Sequence, residues 1–235
     1  MTTARRTGVL GGTFDPIHLG HLAVADAAQR MLALDEVLLI PSLAPPHRAA
    51  GPAASPFHRF AMVAMVCAAH PYLVASDIEL VRPGPSYTAD TLRRLHTAGY
   101  AAWQIFFLTG ADAFAEIATW REYPGVLSLA HFVVSSRPGI SAAELPARLP
   151  DLAPRMLTVH GEEVMEPGET APRVFLLDCP TPDVSSTDIR SRARDGRSIA
   201  GFVPSAIDRY IRRHGLYGAP PEPAPTGVRG GGQLA

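Results

Sequence analysis

Gly11-Gly12-Thr13-Phe14-Asp15-Pro16-Ile17-His18-Leu19-Gly20-His21 is the most informative segment of this 235-residue sequence. It follows a short apolar run, Gly8–Leu10, and leads into an alanine-rich run, Leu22–Leu34, which predicts a strand, a glycine turn and a helix that begins at about Leu19–His21. Glycines let the backbone approach a ligand closely, and the free amides of a helix start attract anions. His18 and His21 fall on one face of the first turn and can reach the same phosphate. The segment therefore predicts a site for a nucleotide triphosphate.

The rest of the chain alternates short apolar segments with helical patterns. Val37–Ile40 and Ile105–Leu108 are apolar on both faces, which is typical of central strands in a parallel sheet. This alternation predicts an α/β fold with a doubly wound, mostly parallel sheet and a ligand at the carboxyl ends of the strands. The predicted strands are Gly8–Leu10, Glu36–Pro41, Leu73–Ser76, Trp103–Thr109, His131–Ser135 and Arg173–Leu177. The predicted helices are His21–Leu34, Pro56–Ala69, Ala89–Thr97, Ala111–Thr119, Pro124–Ala130, Ala142–Leu149, Thr187–Asp195 and Pro204–His214.

The sequence shows no linker that would divide the body of the chain. We expect residues 1–217 to form a single domain and the Pro- and Gly-rich tail, residues 218–235, to be disordered. Two loops are long. Ser42–Ser55 is rich in Pro, Ala and Gly and is expected to be a mobile flap. Asp151–Pro172 is polar and is either a surface excursion or part of a hairpin.

Composition and charge exclude several classes of function. The formal net charge is −1, which argues against a nucleic-acid partner. The sequence contains no apolar run of about 18 residues, so it predicts no membrane span. The chain has no lysine, so a Walker A lysine, a Schiff base and a pyridoxal phosphate linkage are impossible. Cations that contact phosphate must therefore be arginine, histidine, a helix start or a metal ion.

The remaining composition points to a cytoplasmic protein. The amino terminus lacks the apolar region of a secretory signal. Cys67 and Cys179 lie far apart without metal-ligand spacing, and we interpret both as reduced thiols. The sequence leaves a homo-oligomer possible.

A second anion site is predicted at Val184-Ser185-Ser186-Thr187-Asp188-Ile189-Arg190, which follows the last predicted strand and starts a helix. Ser186 or Thr187 is a plausible N-cap, and hydroxyls with free amides there would bind phosphate. Arg190, one turn in, offers a planar fork for phosphate oxygens. Between the two sites, Leu108–Asp112 ends an apolar strand. Asp112 there either caps the next helix or accepts hydrogen bonds from a ribose.

These motifs resemble those of the nucleotidyltransferase superfamily that carries (H/T)xGH and ISSTxIR, with Val184 in place of isoleucine. The GGTFDPxHxGH form is similar to the nicotinate-nucleotide adenylyltransferase family. The resemblance implies a Rossmann-like nucleotidyltransferase fold and catalytic roles for His18, His21 and Arg190. It implies ATP contacts at Gly11, Gly12, Thr13, Phe14, His18, Gly20, His21, Gly110, Asp112, Ser185, Ser186, Thr187 and Arg190.

The same resemblance extends to the acceptor, nicotinate mononucleotide. Pro85-Ser86-Tyr87-Thr88 matches a family segment in which Tyr87 and Thr88 contact the nicotinate group, and Trp120 corresponds to a tryptophan that stacks on the pyridine ring. His47 or Arg48, in Pro45-Pro46-His47-Arg48, would meet the acceptor phosphate. Arg137 would face either substrate or a neighbouring subunit. Ser42 stands where some family members carry asparagine, and Asp15 completes the predicted acceptor set.

The implied reaction is in-line attack of the mononucleotide 5′-phosphate on the α-phosphorus of ATP. It needs no protein nucleophile, and Mg²⁺ would be held mainly by the ATP phosphates. Asp15 would orient His18, support the turn or position the metal. Nicotinamide mononucleotide is a competing acceptor, and a regulator that binds nucleotide without turnover is the alternative from another class.

Overall fold

The computed structural model describes residues 5–45, 51–136, 139–160, 171–177 and 181–220. Its strands are β1 (Thr7–Gly12), β2 (Glu36–Pro41), β3 (Leu73–Ala75), β4 (Ile105–Gly110), β5 (His131–Ser135), β6 (Met156–Val159) and β7 (Val174–Leu177). Its α-helices are α1 (Leu19–Met31), α2 (Pro56–Cys67), α3 (Thr88–Thr97), α4 (Ala111–Ala115), α5 (Leu145–Arg148), α6 (Ser186–Arg194) and α7 (Ser205–Arg213).

All seven strands run parallel in one sheet, in the order β3-β2-β1-β4-β5-β7-β6. Leu10 of β1 lies opposite both Leu39 of β2 and Leu108 of β4. The strand order reverses direction between β1 and β4, because the chain first builds outward from β1 to β3 and then returns to its other side. Helices leave the carboxyl ends of β1 and β4 toward opposite faces at this point, which opens a crevice there. The predicted doubly wound sheet is confirmed.

Successive strand residues point into two separate cores, one on each face of the sheet. Leu10, Leu39 and Leu108 pack with the face covered by α1, α2, α6 and α7. Val9 and Leu38 pack on the opposite face, which α3, α4 and α5 cover. Both faces are therefore dry, and the prediction that the central strands are buried on both sides is confirmed.

Three predicted helices are shorter or different in the structure. Pro124–Ala130 is not an α-helix but contains a 3₁₀ turn at Gly125–Ser128. Ala111–Thr119 divides into α4 and a 3₁₀ turn, where the Glu116 amide donates to the Ala113 carbonyl. Ala142–Leu149 divides likewise, with a proline in the first turn of α5. Helical periodicity alone did not separate one-turn segments from longer helices.

The polar segment Asp151–Pro172 contains a strand that the sequence did not predict. β6 pairs with β7 in parallel at the edge of the sheet, so the hairpin alternative, which requires antiparallel strands, is wrong. Strand β6 is only partly buried, so its sequence needs few apolar residues and the strand is hard to predict. In the middle of the sheet, Ala102–Gln104 forms a 3₁₀ turn, so β4 begins at Ile105 and not at Trp103.

Candidate active site

A cleft of about 360 Å³ opens at the carboxyl ends of β1, β2 and β4, where the strand order reverses. Its walls come from the glycine turn, the start of α1, the loop after β2, the start of α3 and the β4–α4 junction. Ten of the residues predicted from sequence line it: Gly11, Gly12, Thr13, Gly20, His21, Ser42, Thr88, Gly110, Asp112 and Trp120. The fold thus brings predicted donor and acceptor residues, far apart in sequence, to one cleft.

The glycine turn places two histidine rings at the start of α1. His18 is the N-cap residue and is 3% exposed, while His21 lies in the first turn and lines the cleft. The rings stack with centroids 3.7 Å apart, and the edge of Phe14 packs against His21. The His18 amide donates to Nδ1 of His21 at 3.2 Å. Because that nitrogen accepts, a neutral His21 ring carries its proton on Nε2, which makes Nε2 a donor.

The small size of Gly20 is required by His18. A Cβ atom at position 20 would lie 3.1 Å from Cε1 and Nδ1 of the His18 ring, closer than ordinary van der Waals contact. Gly11 is different, since a Cβ there would meet only the Phe107 ring, at 3.8 Å. One glycine therefore gives room to a side chain, and the other keeps the backbone beside the cleft open.

The second predicted anion site docks directly on the first. Ser186 Oγ donates to the Pro16 carbonyl at 3.1 Å, and an Arg190 guanidinium nitrogen donates to the Asp15 carbonyl at 2.8 Å. The N-cap of α6 is Ser185, whose hydroxyl accepts from the Asp188 amide, so the prediction of Ser186 or Thr187 as N-cap is wrong. The start of α6 flanks the glycine turn without lining the 360 Å³ cleft.

Asp15 does not face the cleft. Its carboxylate is 1% exposed and accepts hydrogen bonds from the amides of Ala53 (2.7 Å) and Ala54 (3.0 Å) and from the Tyr217 hydroxyl (2.9 Å). Burial and the neighbouring carboxylate raise the pKa of Tyr217, so that hydroxyl stays a donor. In the described structure Asp15 joins the turn to the end of the flap and to the carboxyl-terminal segment, while the mononucleotide contact at Asp15 stays a prediction.

A buried arginine that sequence reasoning missed lies beside this network. Arg59 on α2 is fully buried, and its guanidinium donates to the carbonyls of Thr13 at 2.7 Å and Ala54 at 3.3 Å. It therefore fixes the glycine turn relative to the flap. In the sequence it stands in the helical run Pro56–Cys67 like any surface arginine, and only the fold shows that its face points inward.

Three of the residues predicted to bind the acceptor, Tyr87, Thr88 and Trp120, line a neighbouring cavity of about 430 Å³, which shares Ser86, Thr88 and Trp120 with the cleft. Tyr87 is the N-cap of α3, and no described side chain caps this helix start, whose first amides therefore remain available to an anion. The Arg121 guanidinium lies 4.7 Å from the centre of the Tyr87 ring. Trp120 packs edge-on against Phe107, which holds the indole at the junction of the two cavities.

Two further polar side chains line the cleft near this junction. Ser42 and Glu79 are each 8% exposed, and Ser42 was predicted whereas Glu79 was not. The Thr91 hydroxyl donates to Glu79 Oε1 at 2.5 Å, and burial raises the pKa of the Glu79 carboxyl. A glutamate in a Pro- and Gly-rich connection carries no periodic signal, so sequence patterns could not identify it.

Some predictions fall on parts of the chain that the structure does not describe. His47, Arg48, Arg137 and Cys179 lie outside the described residues. Asp112 is exposed in the first turn of α4, whose N-cap is Gly110, so the capping alternative for Asp112 is wrong. Within the described ranges, no group of three or more His, Cys, Asp or Glu side chains could hold a metal ion. None of the helices described is long and apolar enough to cross a membrane.

Comparisons with known proteins agree over most of the chain. Residues 9–192 match the family described as cytidylyltransferase-like. A protein of Desulfitobacterium hafniense (strain Y51), named "probable nicotinate-nucleotide adenylyltransferase", is 41% identical over 213 residues, which cover 91% of this chain and 96% of the relative. A protein of the same name from Roseiflexus sp. (strain RS-1) is 44% identical over 210 residues, which cover 89% of this chain and 96% of the relative.

Solved structures share the fold at lower sequence identity. The Plasmodium falciparum nicotinic acid mononucleotide adenylyltransferase complexed with NaAD superposes with a TM-score of 0.68 at 16% identity, covering 92% of this chain and 98% of its own. At this identity the likeness establishes the architecture.

Proposed function

The chain belongs to the nicotinate-nucleotide adenylyltransferase family, and from that premise we propose that it transfers the adenylyl group of ATP to nicotinate mononucleotide. The products are nicotinate adenine dinucleotide (deamido-NAD) and pyrophosphate, a step of NAD biosynthesis. The observation that carries the proposal is the junction of two cavities at Thr88 and Trp120. One cavity lies at the phosphate-binding turn, and the other lies beside an aromatic side chain and an uncapped helix start.

ATP occupies the cleft at the strand ends. Its triphosphate lies along the backbone of Gly11–Phe14 and the start of α1, where the absence of side chains at the glycines and the positive end of the helix dipole suit an anion. Gly20 leaves room for the His18 ring. Gly110 and Asp112, on the opposite wall, bind the adenosine ribose. Ser185, Ser186, Thr187 and Arg190 hold the β- and γ-phosphates from the start of α6.

Catalysis follows from positioning and charge stabilisation. The 5′-phosphate of the acceptor is already ionised at neutral pH and attacks the α-phosphorus; the bond from that phosphorus to the bridging oxygen breaks, and pyrophosphate leaves. The Nε2 donor of His21, stacked on His18, stabilises negative charge that develops on the α-phosphate and the leaving oxygen. Arg190 retains donors beyond its bonds to Asp15 and Thr187, and these serve the departing pyrophosphate.

Mg²⁺ is the divalent ion that we propose accompanies ATP. A hard ion of this kind is bound through substrate phosphates and water more than through a protein cage. The donor set fits this mode, because the cleft offers helix starts and histidines for phosphate without a described cluster of metal-ligating side chains. When bound, such an ion would supply positive charge to the phosphate oxygens.

The acceptor occupies the second cavity. Trp120 stacks on the pyridine ring, while Tyr87, Thr88 and the first amides of α3 meet the carboxylate. Ser42 lies on the facing wall of the cleft. His47 or Arg48 contacts the acceptor phosphate, and Arg137 is a further acceptor contact.

We propose further that residues 1–217 act as one catalytic domain in the cytoplasm. Tyr217 bonds to Asp15 in the glycine turn, so the last residue of this range contacts the turn beside the site. Cys67 is a free thiol, and burial raises its pKa to about 11, which keeps it unreactive.

Pyrophosphate release from ATP and Mg²⁺ tests the proposal, with nicotinate mononucleotide, nicotinamide mononucleotide and phosphopantetheine as parallel acceptors. We expect release with nicotinate mononucleotide to exceed that with the other two. Preference for another acceptor would overturn the roles of Tyr87, Thr88 and Trp120 while keeping the transfer chemistry. Folded protein that binds ATP but releases no pyrophosphate with any acceptor would favour a nucleotide-binding regulator.

A further inference from the structure

Glu79 is a buried carboxyl group inside the cleft that the reaction as described does not use. It lies in the connection between β3 and α3 and is 8% exposed, yet its side chain lines the same cavity as Gly11, His21 and Asp112. Glutamate is among the residues least often buried, and a buried one without an ion-pair partner requires an explanation.

One side of this carboxyl group is fixed firmly. The Thr91 hydroxyl donates to Oε1 at 2.5 Å, and the nearby Ser86 hydroxyl favours the ionised carboxylate. Ser86 accepts from the Leu43 amide at 3.0 Å, which ties Ser86 to the loop after β2. Oε1 of Glu79 is therefore held against α3 by Thr91.

The other side has no partner within the described chain. Glu79 Oε2 and Ser42 Oγ are both buried and neither makes a hydrogen bond to a described residue. The Arg94 guanidinium, the nearest favourable charge, donates to the Ile78 carbonyl at 3.0 Å. Burying such groups unpaired costs free energy, and burial accordingly raises the pKa of Glu79 above its ordinary 4.5. Both residues line the cleft, where a ligand packed against them can supply the missing partners.

We propose that Glu79, together with Ser42, binds the ribose hydroxyl groups of the acceptor mononucleotide and makes the enzyme selective for a ribonucleotide acceptor. The inference rests on the proposed function. A hydroxyl group both donates and accepts, so it pairs with Glu79 in either protonation state and with the serine hydroxyl as well. A carboxylate partner would suit only the protonated acid, and an ionised Glu79 would repel it.

Position and charge also argue against binding of Glu79 to the adenosine ribose or to the phosphates. Asp112 already offers a carboxylate for the adenosine ribose on the β4–α4 wall. Phosphates are repelled by an ionised carboxylate and are drawn instead to the helix starts. Glu79 and Ser42 line the cleft and not the second cavity, but Thr88 and Trp120 line both. An acceptor with its pyridine ring in the second cavity and its phosphate at the ATP phosphates therefore carries its ribose into the cleft, on the side of Glu79.

Two variants and two substrate analogues test this. Glu79→Met keeps the length of the side chain without its hydrogen bonds, and Glu79→Gln restores part of them. We expect Glu79→Met to raise KM for nicotinate mononucleotide about tenfold, the loss of one hydrogen bond to a charged group, with KM for ATP unchanged. Glu79→Gln should lie between it and the wild type. Glu144→Gln, an exposed glutamate paired with Arg148, is the matched control and should change neither constant.

The analogues are 2′-deoxy- and 3′-deoxy-nicotinate mononucleotide, used with the wild-type enzyme as well as the variants. The wild type should lose about tenfold in kcat/KM with at least one analogue, and Glu79→Met should no longer distinguish that analogue from the parent. Nicotinamide mononucleotide should suffer from Glu79→Met by the same factor as the acid, because the two share the ribose.

Equal use of both deoxy analogues by an active wild-type enzyme would overturn the assignment even if the variants failed to fold. A Glu79→Met effect confined to the acid or to the amide would overturn it too, since Glu79 would then contact the pyridine substituent. Neither result touches the proposed function, which fails only if the wild type releases no pyrophosphate with nicotinate mononucleotide.

Discussion

The two ends of the cleft differ in how far apart their residues lie in the sequence. At the phosphate end, Gly11–His21 supplies a strand end, a glycine turn and a helix start within eleven consecutive residues, and the contacts between His18 and His21 span three positions. At the end proposed for the acceptor, Glu79, Ser86 and Thr91 come from a connection and a helix; Thr91 bonds to Glu79, and Ser86 bonds to Leu43 after β2. Local chemistry makes the first end, and long-range packing makes the second.

The difference predicts where a single substitution acts. A change at the phosphate end removes a group that acts on the reacting phosphates and leaves the fold intact. A change at the acceptor end alters binding of one substrate, and a change in the network between the ends alters stability. Substitutions in the three regions should therefore differ in whether they change turnover, substrate binding or stability, and the largest change is expected in turnover.

His21→Ala should lower kcat by about 10²–10³-fold, the loss expected for one preorganised donor to developing charge. The ring stacks on His18 at the cleft and lies outside the main hydrophobic clusters, so the fold should persist. Steady-state pyrophosphate release measures the rate, and circular dichroism monitors the fold. His70→Ala is the matched control, because that ring bonds to the Val66 carbonyl at the end of α2 and should leave kcat unchanged. Turnover near the wild-type value in folded His21→Ala would remove His21 from catalysis.

Asp15→Asn should lower the free energy of unfolding by about 2–4 kcal/mol, because the amide oxygen can still accept from Ala54 and Tyr217, but the NH₂ group then faces the Ala53 amide and the buried negative charge is lost. Urea denaturation measures the change. Tyr217→Phe removes one of these bonds and should cost about 1 kcal/mol. A stable Asp15→Asn protein with a raised KM for the mononucleotide would support the predicted substrate contact at Asp15.

Trp120→Ala should raise KM for nicotinate mononucleotide about tenfold and leave KM for ATP within twofold, since stacking on a flat ring contributes on the order of 1 kcal/mol beyond area burial. Trp103→Ala, a partly exposed tryptophan in a 3₁₀ turn outside both cavities, is the control. A rise confined to KM for ATP would place the indole at the donor end.

The same contrast explains how far the sequence alone could be interpreted. The parallel sheet and the phosphate turn were predicted because apolar runs and short motifs report local structure directly, as in Val37–Ile40 and Gly11–His21. The docking of Arg190 on Asp15 spans 175 positions, and no spacing rule contains it. Motif resemblance nevertheless placed both residues near the site.

What the sequence did not show depends on burial. Arg59 and Glu79 are charged residues among polar neighbours in the sequence. Only the fold shows that both side chains are buried. Asp15 was assigned to a substrate because its motif suggested function, and the sequence did not show that its carboxylate accepts from three protein donors. β6 was missed because an edge strand needs little apolar surface.

Glu79→Gln gives the smallest expected effect and the sharpest test of the acceptor end as a functional site. Burial raises the pKa of Glu79 above 4.5, so the folded state binds this proton more tightly than the unfolded state. Its contribution to stability is complete below pH 4.5 and is lost as pH rises through the raised pKa. Glutamine does not titrate, so at pH 8 the variant should be slightly more stable than the wild type.

The urea midpoint of both proteins between pH 4 and pH 8 checks this sign. The advantage of Glu79→Gln should shrink as pH falls toward 4.5, while Glu144→Gln, on an exposed side chain, should show no such trend. A variant that is less stable than the wild type at pH 8 would mean that the carboxylate supports the fold. A gain in stability joined to weaker acceptor binding would mean that the chain keeps an unfavourable buried carboxyl for its substrate.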